Sequence, residues 1–207
     1  MAMIGVFIGS FNPITQGHVY IAESILQHTE CTHVMFVPVS DLYGKASLKV
    51  EDDHRVQMIR LAISGYENMS VNTIEIEMAE QLGRQNKTIE TMCELRKQYD
   101  EPLVFIIGAD NVAKLHTWYK AEELVSEFGV FVISRDGIDV EKLIQEDEWL
   151  NKNISYYDVV DEAVNSASSS EIRENVKQGL SIDGLVCEMV KQYIYEHQLY
   201  VEECVSH

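Results

Sequence analysis

Proline is scarce in this 207-residue chain, at three residues, and glycine is no more than ordinary, at 11. Those counts exclude a collagen-like chain and a low-complexity disordered one. No apolar run approaches the roughly 18 residues that a membrane helix needs, so no transmembrane span is expected. The opening Met1-Ala2-Met3-Ile4-Gly5-Val6-Phe7-Ile8 has no basic region ahead of its apolar stretch, so a secretory leader is not expected either. Cations are few: 16 Lys and Arg stand against 34 Asp and Glu, for a formal charge of −18. Such a surface repels a polyanion, which argues against nucleic acid as a partner. A small anionic ligand stays open, because a helix N-terminus, a few local cations and a divalent metal suffice to hold a phosphate. The cysteines Cys31, Cys93, Cys187 and Cys204 form no C-x-x-C pair. They read as free thiols in a reducing cytoplasm rather than as a disulfide frame or zinc site.

What is present reads as a single domain spanning 1–207, with no internal repeat or linker and with a C-terminal helical part at about 168–200. Short apolar segments alternate with helical periodicity. Met3–Ile8, His33–Val39, Ile74–Met78, Leu103–Ile107, Gly129–Ser134 and Asn153–Val160 read as strands. Gly17–His28, Asp52–Ser64, Thr88–Tyr99, the stretch up to Phe128 and Ile182–Tyr200 read as helices. This order predicts an α/β protein with a Rossmann-like, doubly wound parallel sheet and helices on both faces. In such a sheet the ligand crevice lies beyond the C-terminal strand ends, where the strand order reverses. The turns after Ile8, Val39, Ile107 and Ser134 should converge there. Arg55 and Arg60 read as surface charges. His116, His197 and His207 show no ligand spacing.

Two stretches carry chemistry. Gly9-Ser10-Phe11-Asn12-Pro13-Ile14-Thr15-Gln16-Gly17-His18 joins a strand to a helix. Thr15 can cap that helix, with His18 in its first turn facing a phosphate; the plain alternative is an ordinary turn with a surface histidine. Ser168-Ser169-Ser170-Glu171-Ile172-Arg173 fits a capping box, with Gly179 at the helix's far end. It equally fits a grip on an oligophosphate, through N–H groups, hydroxyls and Arg173.

Together these stretches resemble the (His/Thr)-x-Gly-His and Ser-Ser-x-x-Ile-Arg signatures of the nucleotidyltransferase superfamily, in its nicotinate or nicotinamide mononucleotide adenylyltransferase branch. Phe105–Asp110 followed by Trp118, Lys87–Thr91, Arg135 and the closing Tyr193–Tyr200 resemble that branch in the same order. Thr15 stands where a first His is usual, and Asn12 where Asp is frequent. The resemblance implies transfer of adenylate from ATP to nicotinate mononucleotide, giving nicotinate adenine dinucleotide and pyrophosphate in NAD biosynthesis. Nicotinamide mononucleotide is the alternative substrate. Another small-molecule nucleotidyltransferase, of pantetheine-phosphate adenylyltransferase or cytidylyltransferase type, is the rival activity, and a non-catalytic nucleotide-binding module is the rival class. It implies His18, Thr15 and Arg173 as catalytic residues. ATP would meet Gly9, Ser10, Phe11, His18, Lys45, Gly108, Asp110, Ser169, Ser170 and Arg173. The pyridine nucleotide would meet Asn12, Thr88, Thr91, Trp118 and Arg135. Magnesium would ride mainly on the phosphates, with no protein metal ligands. The implied partners are ATP and a pyridine mononucleotide, with no membrane and with room for a homo-oligomer.

Overall fold

The computed structural model describes residues 2–40, 42, 50–134, 139–154, 157–161 and 168–201. Strands β1 (Met3–Gly9), β2 (Cys31–Pro38), β3 (Met69–Val71), β4 (Leu103–Gly108), β5 (Val130–Ser134) and β6 (Tyr157–Asp161) form one sheet in the order β3-β2-β1-β4-β5-β6. Every neighbouring pair is parallel. The order reverses between β1 and β4, as the doubly wound reading requires.

The helices are α1 (Gln16–His28), α2 (Asp52–Ala62), α3 (Ile74–Leu82), α4 (Thr88–Arg96), α5 (Ala109–Val112), α6 (Ala121–Phe128), α7 (Val140–Glu146), α8 (Glu148–Asn153), α9 (Ser169–Lys177) and α10 (Glu188–Glu196). Alternation along the strands divides them between two cores. Phe7, Val34, Phe36, Val104, Ile106 and Phe131 face α1, α2, α9 and α10. Val6, Met35, Val37, Phe105, Ile107 and Val132 face helices from α3 to α8. A sheet buried on both sides explains why its strands read as unbroken apolar runs.

Register opens the crevice. β1 pairs with β2 as far as Gly9 opposite Pro38, and β4 pairs with β5 as far as Gly108 opposite Ile133. The β1–β4 pairing stops earlier, at Val6 opposite Phe105. The ends of β1 and β4 therefore part at the switch point, with Gly9 on one side of the opening and Gly108 on the other.

Three readings of the sequence need correction. Ile74–Met78 is not a strand; it begins helix α3, and the strand of that region is Met69–Val71. The alternation of Ile and Glu there was short enough to fit either period. Ile74, Glu75, Ala79 and Leu82 follow a helical spacing, and Gly83, at φ +62°, ends the helix in the left-handed region. The tail is not helical throughout: α10 covers only Glu188–Glu196, and the segment before it runs irregularly past an isolated bridge between Asp183 and Val186. Helices α7 and α8, ahead of β6, were not read at all. Among the described residues no helix is long and apolar enough to cross a membrane, and Cys31, Cys93 and Cys187 are free thiols.

If Gly83 ends α3 as described, Gly83→Ala puts a side chain on a left-handed backbone. The expected loss is about 1–2 kcal/mol, readable as a lower denaturant midpoint at constant slope. A variant as stable as the parent contradicts this ending of α3.

Candidate active site

The loop after β1 is built by an unusual backbone. Phe11 adopts φ +43°, a region that a bulky side chain occupies only when its surroundings hold it there. Its ring turns back into the core, edge-on to Phe7 and Phe36, and meets the His18 ring at 5.2 Å between centroids. A Cβ at Gly9 would lie 3.0 Å from that ring. Gly9 is thus small to admit Phe11, and the Phe11 side chain itself lies in the core, away from any ligand in the crevice.

The loop is held from beneath by side chains distant in sequence. Arg55 donates from Nη1 to the Ser10 carbonyl at 2.6 Å and from Nη2 to the Val39 carbonyl at 2.5 Å. It also pairs with Asp52, whose other carboxylate oxygen accepts from Ser40. Arg173 donates to the Asn12 carbonyl at 2.6 Å and to the Ser170 hydroxyl at 3.0 Å. Ser169 donates to the Pro13 carbonyl at 2.8 Å, and Tyr200 donates to the Asn12 side chain at 2.6 Å. Arg55 is not a surface charge: it is 0% exposed. A charge deep in a helix can be told from one on its face only when the partners are known, and these come from two other loops. Arg60 is exposed, as read.

Thr15 caps α1, and its contacts orient His18. The Thr15 backbone N–H donates to His18 Nδ1 at 3.0 Å, and the Thr15 hydroxyl lies 2.9 Å from the same nitrogen. The hydroxyl also accepts from the His18 N–H at 3.3 Å. Nδ1 is therefore the ring's acceptor, and in the neutral imidazole the proton is assigned to Nε2. Across the opening, Gly108 caps α5, and a Cβ there would fall 2.6 Å from Asp110 Oδ1. The Asp110 carboxylate thus folds over Gly108 at the exposed rim. Trp118 is half-buried, with its ring 6.1 Å from that of Phe105.

Residues 6–175 match the family model described as cytidylyltransferase-like. A relative from Carboxydothermus hydrogenoformans, described as a probable nicotinate-nucleotide adenylyltransferase, is 32% identical over 96% of this chain and 98% of its own. One from Thermoanaerobacter, described alike, is 34% identical over 97% and 95%. The chain belongs to the nicotinate-nucleotide adenylyltransferase family. Its fold also matches the solved nicotinic acid mononucleotide adenylyltransferase of Plasmodium falciparum complexed with NaAD, with a TM-score of 0.75 and 20% identity over 97% of this chain and 98% of that one.

Against the positions that the family resemblance implied, the structure brings together Gly9, Ser10, Thr15, His18, Ser169, Ser170 and Arg173 around one loop. It turns three others inward: Phe11, whose ring fills the core, and Asn12 and Thr91. Asn12 is 1% exposed and is occupied by Tyr200 and Arg173, so its side chain supports the loop and does not line the crevice. Thr91 is 0% exposed and donates its hydroxyl to Glu75. Thr88, half-buried, opens α4. That helix start is fixed by Glu90, which accepts from the Lys87 N–H at 2.9 Å and binds Arg84 through both oxygens. Its carboxyl is held down to about 2, first by the Arg84 hydrogen bond. Lys45 and Arg135 lie outside the described residues. The sequence reading missed Arg55, Glu75 and Asn86. For Arg55 and Glu75 the prior signal was a polar residue within an apolar helix periodicity; Asn86, in the loop before α4, gave none.

Glu75 is buried against Thr91 and Asn86, whose side-chain amide donates to the Glu75 carbonyl at 2.7 Å. Burial pushes its carboxyl above the ordinary 4.5, opposed by the hydrogen bonds from Thr91 and Asn86. The folded chain therefore holds this proton more tightly than the unfolded chain. That contribution to stability is whole below pH 4.5 and is lost as pH rises through the folded value. Glu75→Gln removes the charge and keeps an acceptor for Thr91. Its melting temperature should exceed the parent's at about pH 8 and lose that advantage at about pH 4. An advantage independent of pH contradicts the assignment.

Proposed function

We propose that this chain joins ATP to nicotinate mononucleotide, with nicotinate adenine dinucleotide and pyrophosphate as products. The observation that carries the reading is the Thr15–His18 pairing at the start of α1, at the mouth of the crevice between β1 and β4. The mononucleotide 5′-phosphate attacks the α-phosphorus of ATP, the bond to the β-phosphate oxygen breaks, and pyrophosphate leaves. Little covalent chemistry is asked of the protein; alignment and charge neutralisation supply most of the rate.

In this reading Nε2–H of His18 donates to a phosphate oxygen that gains charge in the transition state. Thr15, in place of a second imidazole, keeps His18 in the right tautomer. Gly9 and Ser10 let the main chain run beside ATP, and Gly108 and Asp110 border the adenosine from the opposite rim. Ser169, Ser170 and Arg173 face the leaving β- and γ-phosphates; Arg173 uses two of a guanidinium's five N–H groups within the protein. Lys45 and Arg135 are the further cations that the family resemblance assigns to the substrates. Trp118 stacks on the pyridine, and Thr88 meets its carboxylate with a hydroxyl and the outward N–H groups of a helix start.

Magnesium fits as a companion of the substrate. Among the described residues no group of three or more His, Cys, Asp and Glu side chains could hold an ion. The ion would be bound through phosphate oxygens and water, and would neutralise the charge on the departing pyrophosphate. One domain carries both substrates, and free thiols with no spanning helix among the described residues favour a cytoplasmic setting.

The test is pyrophosphate release from ATP and magnesium with nicotinate mononucleotide, nicotinamide mononucleotide or phosphopantetheine. The acid mononucleotide should give the highest kcat/KM; an equal or higher value for the amide rejects that preference, and turnover only with phosphopantetheine rejects the branch. His18→Ala should lower kcat by about 10²–10³, with a smaller effect on KM for ATP. Turnover within about threefold of the parent removes His18 from the chemistry.

A further inference from the structure

The chain's last described turn reaches the loop after β1 from below. α10 closes with Gln198 at φ +51°, and the Leu199 N–H donates back to the Ile194 carbonyl at 2.9 Å. Tyr200 then adopts φ +66°. Two side-chain-bearing residues on left-handed backbone within three positions need something to hold them there. Leu199 supplies one anchor by entering the core beside α1 and α10. The Tyr200 hydroxyl supplies the other, donating to Asn12 Oδ1 at 2.6 Å. The charges of Arg173 and Arg55, the two guanidiniums that grip the loop, both act to lower the pKa of this phenol. Burial outweighs them and raises its pKa, so the phenol remains an O–H donor throughout the working range.

Asn12 lies between Phe11, with its strained backbone, and the short run that ends at Thr15 and His18. Its carbonyl accepts from Arg173 and its side chain accepts from Tyr200, so two distant elements fix one residue. We propose that Tyr200 is a positioning residue for the adenylyl transfer, acting through Asn12 to hold the Thr15–His18 pair in its productive place. The inference rests on the proposed function for its catalytic consequence, but not for its structural one.

Tyr200→Phe removes the hydroxyl and keeps the ring. The expected result is a kcat lower by about 10–100-fold, with KM for ATP within about threefold of the parent and little change in melting temperature. In histidine-labelled protein without substrate, the His18 ring nitrogen resonances should move. Asn12→Ala breaks the same bond from the other end and should reproduce both effects. Adding Tyr200→Phe to Asn12→Ala should then cost nothing more, since the pair acts as one unit. Should the Phe variant fail to fold, Asn12→Ala with an intact tail carries the same test. A folded Tyr200→Phe protein with parental kcat, or one whose loss persists undiminished over Asn12→Ala, overturns the proposal. If the parent itself shows no adenylyl transfer, the proposed function fails; the ligand-free resonances still decide this inference, unmoved ones overturning it and shifted ones upholding the link from Tyr200 to His18.

Discussion

The site depends on two guanidiniums that hold successive turns of one loop. Arg55 takes the carbonyl of Ser10, and Arg173 takes the carbonyl of Asn12, on either side of Phe11 at φ +43°. A phenylalanine left to itself would relax to the extended or right-handed region. Charge-assisted bonds at both neighbours, from the fully buried Arg55 and the half-buried Arg173, are strong enough to prevent that. Burying Arg55 completely is costly unless its charge is matched. Asp52, from the same first turn of α2, supplies the match, and the carbonyls of Ser10 and Val39 accept from the two terminal nitrogens, while the buried Nε meets no acceptor among the described residues. One buried ion pair therefore ties the ends of β1 and β2 to α2, while α9 and the tail tie down the other half of the loop.

The same arrangement resolves an apparent conflict in charge. With a net charge of −18, the chain as a whole repels ATP. Repulsion between exposed charges is screened beyond about 8–10 Å at ordinary ionic strength. Local sources decide what happens in the crevice, and here they are positive: the N-terminal ends of α1 and α9, with Arg173 and Arg55 below the loop between them. Two of the acidic groups near the site are engaged, Asp52 by Arg55 and Ser40, and Glu90 by Arg84, while Asp110 stands at the exposed rim. Anion affinity needs only this local field.

Legibility followed range. β1, the loop, the Thr15 cap and the start of α9 were readable because each is written in consecutive residues: an apolar run, a small-residue turn, a capping hydroxyl. Two signatures about 150 residues apart then pointed to one crevice. What was not readable depends on contacts that no local pattern carries. Arg55 looks like any helix arginine until Ser10 and Val39 are placed beside it. Ile74–Met78 offers only five residues, too few to separate a period of two from one of 3.6. Gly83, just beyond, held the deciding signal. Asn12 and Thr91 sit in motif positions, so a reading by motif sends them to the ligand; burial sends them to Tyr200 and Glu75 instead.

This last pattern bears on how the motif residues divide their work. Of the residues in the first signature loop, Phe11 fills the core, Gly9 makes room for it, Asn12 receives the tail, and Thr15 sets the tautomer of His18. His18 is the member of that stretch to which the proposed function gives a chemical role. A transition state that differs from its ground state mainly in where charge sits is stabilised by a donor already in place, since reorienting one during reaction would cost part of the gain. The number of side chains spent on holding one imidazole is then intelligible. Fixing a polar group where an anion will form, with nothing yet there to attract it, requires bonds from elsewhere in the fold. Here they come from α2, α9 and the end of the chain, the first more than a hundred residues ahead of the other two and brought to them by the sheet.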